Sequence, residues 1–133
     1  MELDNDLAPG PQGELTLKVL ADYQSVNTTG DVFGGWVAMQ IDQAGAIMAR
    51  KIATGRVVTV SIGSMSFMRS VKMGDILALF TRVTEVGKTS IRVVVEAWVE
   101  DKHGRAKLTE TNMVFVAIDT QGRTSRIQSA KSP

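Results

Sequence analysis

Residues 35–53 read GWVAMQIDQAGAIMARKIA, and this stretch decides the fold. Its bulky apolar side chains recur at intervals of three and four, which predicts one helix from residue 35 to about residue 53. At 1.5 Å per residue the helix is about 28 Å long, which is long for a small domain. Thr54 and Gly55 supply the end, because glycine commonly stands just past the last helical residue.

Stretches rich in Val, Ile and Thr flank this helix and predict five β-strands, one before it and four after it. The predicted strands are 14–21, 56–67, 75–86, 90–100 and 107–119. The turns at 86–89 and 101–104 suit antiparallel hairpins. The order predicts an α+β fold in which the helix packs on one face of a five-stranded antiparallel sheet. One helix cannot cover five strands, so we expect a second subunit to cover the remainder.

The chain has 133 residues, which suits one domain with one core. Residues 1–13 mix prolines and glycines with acidic residues and predict a flexible N-terminal arm. The polar residues 126–133 predict a flexible tail, which leaves 14–125 as the domain.

The charge balance and the absence of cysteine restrict partners and chemistry. A formal net charge of +1 creates no field that would attract nucleic acid or a membrane, so we expect neither as a partner. Without cysteine there is no disulfide, no thiolate nucleophile and no Cys-based zinc site. The sequence also shows no signal segment and no apolar run long enough for a membrane span, which predicts a cytoplasmic protein.

Asp42 is the unusual residue of the helix. Spacings of three and four place it in a stripe whose other members are all small: Ala38, Gly45, Ala46 and Ala49. A small stripe lets a ligand or another backbone approach, and a partly desolvated carboxylate there is a plausible base. The alternative is a structural role for Asp42 as a cap or an ion-pair partner.

Gly34 and Gly35 stand at the helix entrance, two turns before Asp42. Such glycines often serve only a tight turn. Alternatively, they leave the amides of the helix N-terminus open to an oxyanion.

Other common chemistries lack their residues. The single histidine, His103, lies in a charged hairpin turn, and no G-x-S-x-G sequence is present. One histidine without cysteine makes no convincing metal cluster, so we expect no metal and no redox cofactor. Carboxylate chemistry remains, as general base or as nucleophile, and it suits an activated acyl group such as a thioester.

The run NTTGDVFGGW at 27–36, followed by QID at 40–42, resembles the active-site segment of hotdog-fold acyl-CoA thioesterases of the YciA-like type. Further matches lie at 57–59, 66–69 with 74–75, 88–90 and 96–99. The likeness covers about residues 14–125, and the asparagine, the double glycine and the aspartate keep the family's spacing. Ser70 stands where the family often has proline.

The resemblance implies a curved antiparallel sheet wrapped around the helix, and hydrolysis of acyl-CoA to a free acid and coenzyme A. It implies Asp42 as base or nucleophile, Asn27 as the residue that positions water or substrate, and the amide of Gly35 in an oxyanion hole. It further implies homodimers with the sites at their interface, commonly assembled into hexamers.

Substrate contacts follow from the same resemblance. The phosphates of coenzyme A need charge-assisted contacts, and the acyl tail needs apolar residues near the helix. The substrate-binding candidates are Gly34, Phe33, Arg69, Lys88, Thr89 and Ser90. For Arg69 and Lys88 the alternative is that they are ordinary surface charges. Phe33, Met39 and Met48 are more often core residues than substrate lining.

Three alternatives stay open. A hotdog hydratase or dehydratase would need a histidine at the site, and none lies between residues 27 and 49. A non-catalytic acyl-CoA sensor on the same fold would need a partner protein, because about thirteen residues before the first strand leave no room for a helix-turn-helix. A purely structural dimer would use Asp42 only for stability. Acyl chain length is not readable from the sequence.

Overall fold

One helix and five strands make up the fold, in the predicted order, in a computed structural model that describes residues 10–22 and 28–128. The elements are β1 (Glu14–Leu20), α1 (Gly34–Ala53), β2 (Val57–Ile62), β3 (Ile76–Val86), β4 (Ser90–Asp101) and β5 (Gly104–Ala117). Helix α1 ends at Thr54, whose left-handed conformation (φ 55°) and N–H bond to the Arg50 carbonyl close the last turn.

The strands form one open antiparallel sheet in the order β1-β3-β4-β5-β2. Every neighbouring pair is antiparallel, and both predicted hairpins, β3-β4 and β4-β5, are present. Helix α1 contacts all five strands, so the sheet wraps around it. The predicted α+β architecture is therefore confirmed, with β1 and β2 as the free edges.

The core lies between α1 and the inner face of the sheet. The helix contributes Val37, Ile41 and Met48 to it, which confirms the apolar face predicted from their spacing. Gly45 also faces the sheet, because a Cβ there would come within 2.8 Å of the Phe115 ring. Part of the small stripe thus serves close helix-sheet packing, whereas the sequence interpretation gave it to a ligand or another backbone.

The outer face of the sheet carries a second, smaller cluster of Ala78, Phe80 and Trp98. Beside it Glu96 is buried, with 1% of its surface exposed. Arg105 stacks over Phe80, with the guanidinium carbon 5.3 Å from the ring centre. The outer face therefore combines a small apolar cluster with long charged side chains that pack against it.

The second strand is shorter than predicted. The sequence predicted 56–67, but β2 ends at Ile62 after a bulge between Thr59 and Ser61. Beyond it the chain follows β5 through two backbone bonds, from Gly63 N to Asn112 O (2.8 Å) and from Met68 N to Leu108 O (2.9 Å). Ser and Met alternate after Gly63 as they would in a strand, which explains the longer prediction. The residues between Gly63 and Met68 are not part of a strand in the structure.

Exposed apolar side chains gather along the free edge strand β2. Val58, Val60 and Ile62 are 40%, 53% and 45% exposed. An unpaired edge with apolar side chains is a surface that natural proteins cover or pair.

Among the described residues, no helix is long and apolar enough to cross a membrane.

The predicted domain limits of 14 and 125 remain predictions. Gln12 and Gly13 already lie on the sheet, where the Gln12 N–H donates to Glu96 at 2.9 Å. At the other end Ile127 packs against the core and its N–H donates to the Lys88 carbonyl at 2.7 Å. Both contacts extend the ordered chain slightly beyond the predicted limits.

Candidate active site

Asp42 is held in place by one defined hydrogen bond. Its carboxylate lies half-buried on α1, and the Thr59 hydroxyl on β2 donates to Asp42 Oδ1 at 2.7 Å. Because Thr59 faces the helix from the free edge strand, the carboxylate sits at the rim of the sheet and outside the core. A carboxylate with one fixed oxygen and an open side can take a proton or attack an acyl carbon.

The N-terminus of α1 is uncapped. Phe33 is its N-cap residue, no side chain caps it, and its first turn holds no acidic residue. The Phe33 carbonyl accepts the amides of Trp36 (3.1 Å) and Val37 (3.3 Å). Among the described residues, the amides of Gly34 and Gly35 have no backbone acceptor. Such amides, at the positive end of the helix dipole, form a ready site for a negative oxygen.

Neither backbone strain nor packing against the described residues explains Gly35. Both glycines are helical and have no positive φ, so the tight-turn interpretation does not apply. A Cβ on Gly34 would come within 3.2 Å of the Phe67 ring, whereas a Cβ on Gly35 would meet no described residue within 4 Å. The space beside Gly35 is therefore open within the part of the chain that the structure describes.

The loop before the helix is anchored to the turn that precedes β3. The Val32 N–H donates to the Val71 carbonyl at 3.0 Å, and Asp31 pairs with Lys72. The hydrogen bond from Lys72 lowers the pKa of Asp31 below its ordinary value. Asn27, the remaining predicted catalytic residue, lies outside the described residues, and its role stays a prediction.

The predicted substrate contacts fall at two places that are far apart. The Arg69 Nε donates to the Lys107 carbonyl at 3.0 Å, and Lys107 pairs with Trp98 on β4. Ser90 begins β4, eight residues before Trp98, which corresponds to roughly 26 Å along the strand. One chain therefore does not bring Arg69 and Lys88–Ser90 into one phosphate site.

The site residues form two groups within the chain. Thr59 pairs with Phe115, which pairs with Ile91, so Thr59 and the start of β4 are two strand spacings apart, roughly 10 Å. We call this group the carboxylate end: Asp42, Thr59, Lys88, Thr89 and Ser90. The second group, the glycine end, consists of Gly34, Gly35, Phe67 and Arg69.

A small apolar pit opens at the glycine end. It has a volume of about 110 Å³. It is lined by the apolar residues Val32, Val37, Phe67, Val71 and Leu108 and by Asp31, Gly34, Arg69 and Ser70. Val37, Val71 and Leu108 are buried core residues, so the pit borders the core.

The sequence interpretation missed two residues of the site. Thr59 was noted only as part of the family match at 57–59, and no role was predicted for it. Alternation along β2 places this hydroxyl on the helix side, facing Asp42. The sequence interpretation gave Phe67 no role because that residue fell inside a predicted strand. Of the apolar candidates that we expected in the core, Met48 is buried, but Phe33 and Met39 are each 51% exposed.

His103 lies exposed in the β4-β5 turn, where its N–H donates to Asp101 at 2.7 Å, as the sequence predicted for a solvated turn histidine. Within residues 10–22 and 28–128, no group of three or more His, Asp or Glu side chains could hold a metal ion.

Comparison with known proteins identifies the family. The model of the thioesterase superfamily matches residues 29–106, which include α1, β2 and β3. The chain belongs to the thioesterase superfamily. It is 44% identical over 118 residues to the acyl-CoA thioester hydrolase YciA of Salmonella typhimurium, an alignment that covers 85% of this chain and 89% of that protein.

Solved thioesterase structures confirm the hotdog fold. A hexameric thioesterase from Yersinia pestis matches with a TM-score of 0.86 and 40% identity, over 90% of this chain and 99% of that one. A hexameric broad specificity acyl-coenzyme A thioesterase matches with a TM-score of 0.88 and 38% identity, over 92% of this chain and 86% of that one. The resemblance recognised in the sequence is therefore correct.

Proposed function

We propose that this thioesterase hydrolyses acyl-CoA to a free carboxylic acid and coenzyme A, with Asp42 as its general base or nucleophile. The observation that carries the proposal is the half-buried Asp42 carboxylate on α1, which accepts a hydrogen bond from Thr59 on β2. The N-terminus of the same helix has no side-chain cap, so its first amides can bind a negative oxygen. The acyl-CoA substrate is supported by the Salmonella relative, which is named for that reaction.

Thioester hydrolysis needs only a carboxylate, hydrogen-bond donors for the carbonyl oxygen, and water. A thioester carbonyl is less stabilised by resonance than an amide, and thiolate is a good leaving group. In the first route the carboxylate takes a proton from water as the water oxygen attacks the acyl carbon; the C–S bond then breaks and coenzyme A leaves as a thiolate, which takes up the proton. In the second route the carboxylate attacks the acyl carbon and displaces the same thiolate to form an anhydride, which water then opens to the free acid and the original carboxylate. The Thr59 hydroxyl orients the carboxylate in both routes. We expect neither route to need a metal, so dialysis against a chelator should leave the rate unchanged.

The amide of Gly35 is the proposed oxyanion donor. Negative charge develops on the carbonyl oxygen as the tetrahedral intermediate forms, and a preorganised amide about 3 Å away stabilises it. The open space at Gly35 supports this role, since none of the described residues lies within 4 Å of where its Cβ would be.

One chain cannot supply both groups to one carbonyl. Gly35 and Asp42 are seven residues apart on α1, which places them on the same helix face but roughly 10 Å apart along the axis. An oxyanion donor and a base must both lie within hydrogen-bond reach of the reacting group. We therefore propose that the carboxylate end of one subunit meets the glycine end of its partner.

The apolar edge of β2 supports such a pairing. Val58, Val60 and Ile62 lie near Thr59 on the edge strand β2, so a contact that covers them would also lie beside Asp42. We propose a homodimer formed along this edge. Its further assembly to a hexamer is supported by the hexameric state of two structural neighbours.

A dimer also reconciles the two predicted phosphate contacts. Arg69 at the glycine end and Lys88 at the carboxylate end are far apart in one chain, but they approach each other when opposite ends meet. We propose that one coenzyme A molecule contacts Arg69 of one subunit and Lys88 with Ser90 of the other.

Thiol release from a panel of acyl-CoAs of increasing chain length, followed with a disulfide dye, tests the reaction itself. We expect activity in the wild type and a loss of at least about 10³-fold in Asp42→Asn, which keeps the shape and removes the basicity. If the folded wild type releases no thiol from any substrate but still binds coenzyme A, the protein is a sensor instead.

Subunit complementation tests the shared site. Asp42→Asn and Gly35→Leu are each expected to be inactive, and we expect Gly35→Leu to fold because a Cβ at this position meets no described residue within 4 Å. If the two groups come from different subunits, mixed dimers regain one intact site of two. If mixed dimers made by co-expression stay inactive, both groups act from one chain and the proposed pairing is wrong.

A further inference from the structure

We propose that Asp31 and Lys72 are a positioning pair for the reaction, because their ion pair fixes the entrance of α1 and with it the amide of Gly35. This inference rests on the proposed hydrolysis of acyl-CoA and on Gly35 as the oxyanion donor. It adds two residues that act on the reaction through the position of that amide and not through contact with the substrate.

The segment before α1 is short and turns sharply. Gly30 has a φ of 87°, a conformation that favours glycine, and Asp31 follows directly. Helix α1 begins three residues later at Gly34, and no side chain caps its N-terminus. The position of the first helical amides therefore depends on the contacts that residues 31–33 make with neighbouring parts of the chain.

These contacts reach the turn before β3 through both backbone and side chains. Asp31 and Lys72 form an isolated antiparallel bridge, and the Val32 N–H donates to the Val71 carbonyl at 3.0 Å. The Lys72 ammonium pairs with Asp31 Oδ1, and the Thr29 hydroxyl donates to Asp31 Oδ2 at 3.3 Å. The carboxylate of Asp31 therefore connects its own loop to the turn that carries Lys72.

That turn is itself bonded to the sheet. The Asp75 carboxylate accepts the Lys72 N–H at 2.9 Å, and the Asp75 N–H donates to the Lys72 carbonyl at 3.0 Å. Ala21, the residue after β1, donates its N–H to the Asp75 carbonyl at 2.9 Å and accepts the Gly74 N–H at 2.7 Å. Because Ala21 is fully buried, the backbone of Lys72 stands on a fixed support.

The exposure of the pair separates positioning from ordinary stabilisation. The side chains of Lys72 and Asp31 are 61% and 42% exposed, and ion pairs this exposed contribute little to stability. A catalytic group is far more sensitive, since a displacement of about 1 Å can lower the rate about 10²-fold. Loss of the pair should therefore lower turnover while stability changes little.

The kinetic test compares Lys72→Met with Lys51→Met. Lys51 pairs with Glu14 at 3.1 Å near the other end of α1, and these side chains are 60% and 59% exposed, which makes them a matched control. We expect Lys72→Met to lower kcat about 10-fold with KM within about twofold of the wild type. Lys72→Arg should retain most of the activity because it restores the cation, and Lys51→Met should keep the wild-type kcat.

Urea denaturation of the same variants shows whether the two lysines contribute equally little to stability. The inference is wrong if Lys72→Met and Lys51→Met have the same kcat. It is also wrong if Lys72→Met raises KM and leaves kcat unchanged, because that result would assign Lys72 to substrate binding.

Hydrogen exchange, followed by mass spectrometry over residues 28–40, tests the pair without any substrate. Exchange should be faster in Lys72→Met and unchanged in Lys51→Met. A wild type that releases no thiol from any acyl-CoA contradicts the proposed hydrolysis. An active wild type, with wild-type exchange and kcat in Lys72→Met, contradicts only the positioning pair.

Discussion

Two carboxylates of this molecule, Glu96 and Asp42, differ in how many hydrogen-bond and ion-pair partners they have among the described residues. Glu96 lies buried on the outer face, and both of its oxygens have partners inside the chain. Those partners are Gln12 N at 2.9 Å, Trp98 Nε1 at 3.2 Å, Arg82 at 3.3 Å and Lys107 Nζ at 3.9 Å. Asp42 lies half-buried at the rim and accepts a hydrogen bond from Thr59.

The difference separates a structural role from a chemical one. A buried carboxylate whose two oxygens both have partners inside the chain is held in the fold and is closed to a substrate. A carboxylate that is oriented by one donor and open on its other side keeps that capacity. Burial alone would have selected Glu96 as the unusual acid, and the arrangement of partners selects Asp42.

The largest expected effect is on the activity of Asp42→Asn. We expect its turnover to fall by at least about 10³-fold while its free energy of unfolding changes by less than about 1 kcal/mol, since the amide still accepts from Thr59. Thiol release and urea denaturation at one protein concentration measure the two quantities. A large loss of stability would mean that Asp42, like Glu96, has a structural role, and would contradict the distinction drawn between them.

Glu96→Ala should show the opposite pattern. Removing this side chain leaves the Gln12 amide and the Trp98 indole without this acceptor and Arg82 without this counter-ion, while Lys107 keeps its pair with Glu110. We expect this to cost about 3 kcal/mol of stability. The kcat of the folded protein should stay within about twofold of the wild type. Glu110→Ala is the matched control, because Glu110 lies on the same face but its side chain is 37% exposed; it should cost less than about 1 kcal/mol. An inactive but stable Glu96→Ala would assign this residue to catalysis.

Thr59→Val sharpens the interpretation of Asp42. Valine keeps the size and β-branching of threonine but cannot donate, so the carboxylate loses its orientation. We expect kcat to fall about 10-fold to 100-fold, and Thr59→Ser to retain most of the activity. Equal activity in Thr59→Val and the wild type would show that the 2.7 Å bond has no catalytic role.

The sequence predicted what depends on periodicity and on local spacing. The extent of α1, the five strands and both hairpins followed from patterns with periods of 3.6 and 2. The end of β2 did not, because Ser64 and Ser66 continue the alternation after the ladder has stopped. Nor could one sequence show that Arg69 and Ser90 lie at opposite ends of the sheet, since that distance depends on strand register. The Thr59 contact with Asp42 likewise depends on how the helix crosses the edge strand.

The smallest expected effect concerns Glu100, an outer-face carboxylate that is more exposed than Glu96. Hydrogen bonds from Lys18 and then Arg105 lower its pKa below the ordinary value of 4.5. A lowered pKa in the folded state contributes stability above the unfolded pKa, and this contribution is lost as the pH falls through the folded value. Glu100→Gln should therefore be up to about 1 kcal/mol less stable than the wild type at pH 7, and the gap should close as the pH falls below 4. Urea denaturation at pH 7 and pH 3 measures this difference in the free energy of unfolding. A difference that widens in acid would mean that the ion pairs of Glu100 with Lys18 and Arg105 do not stabilise the fold.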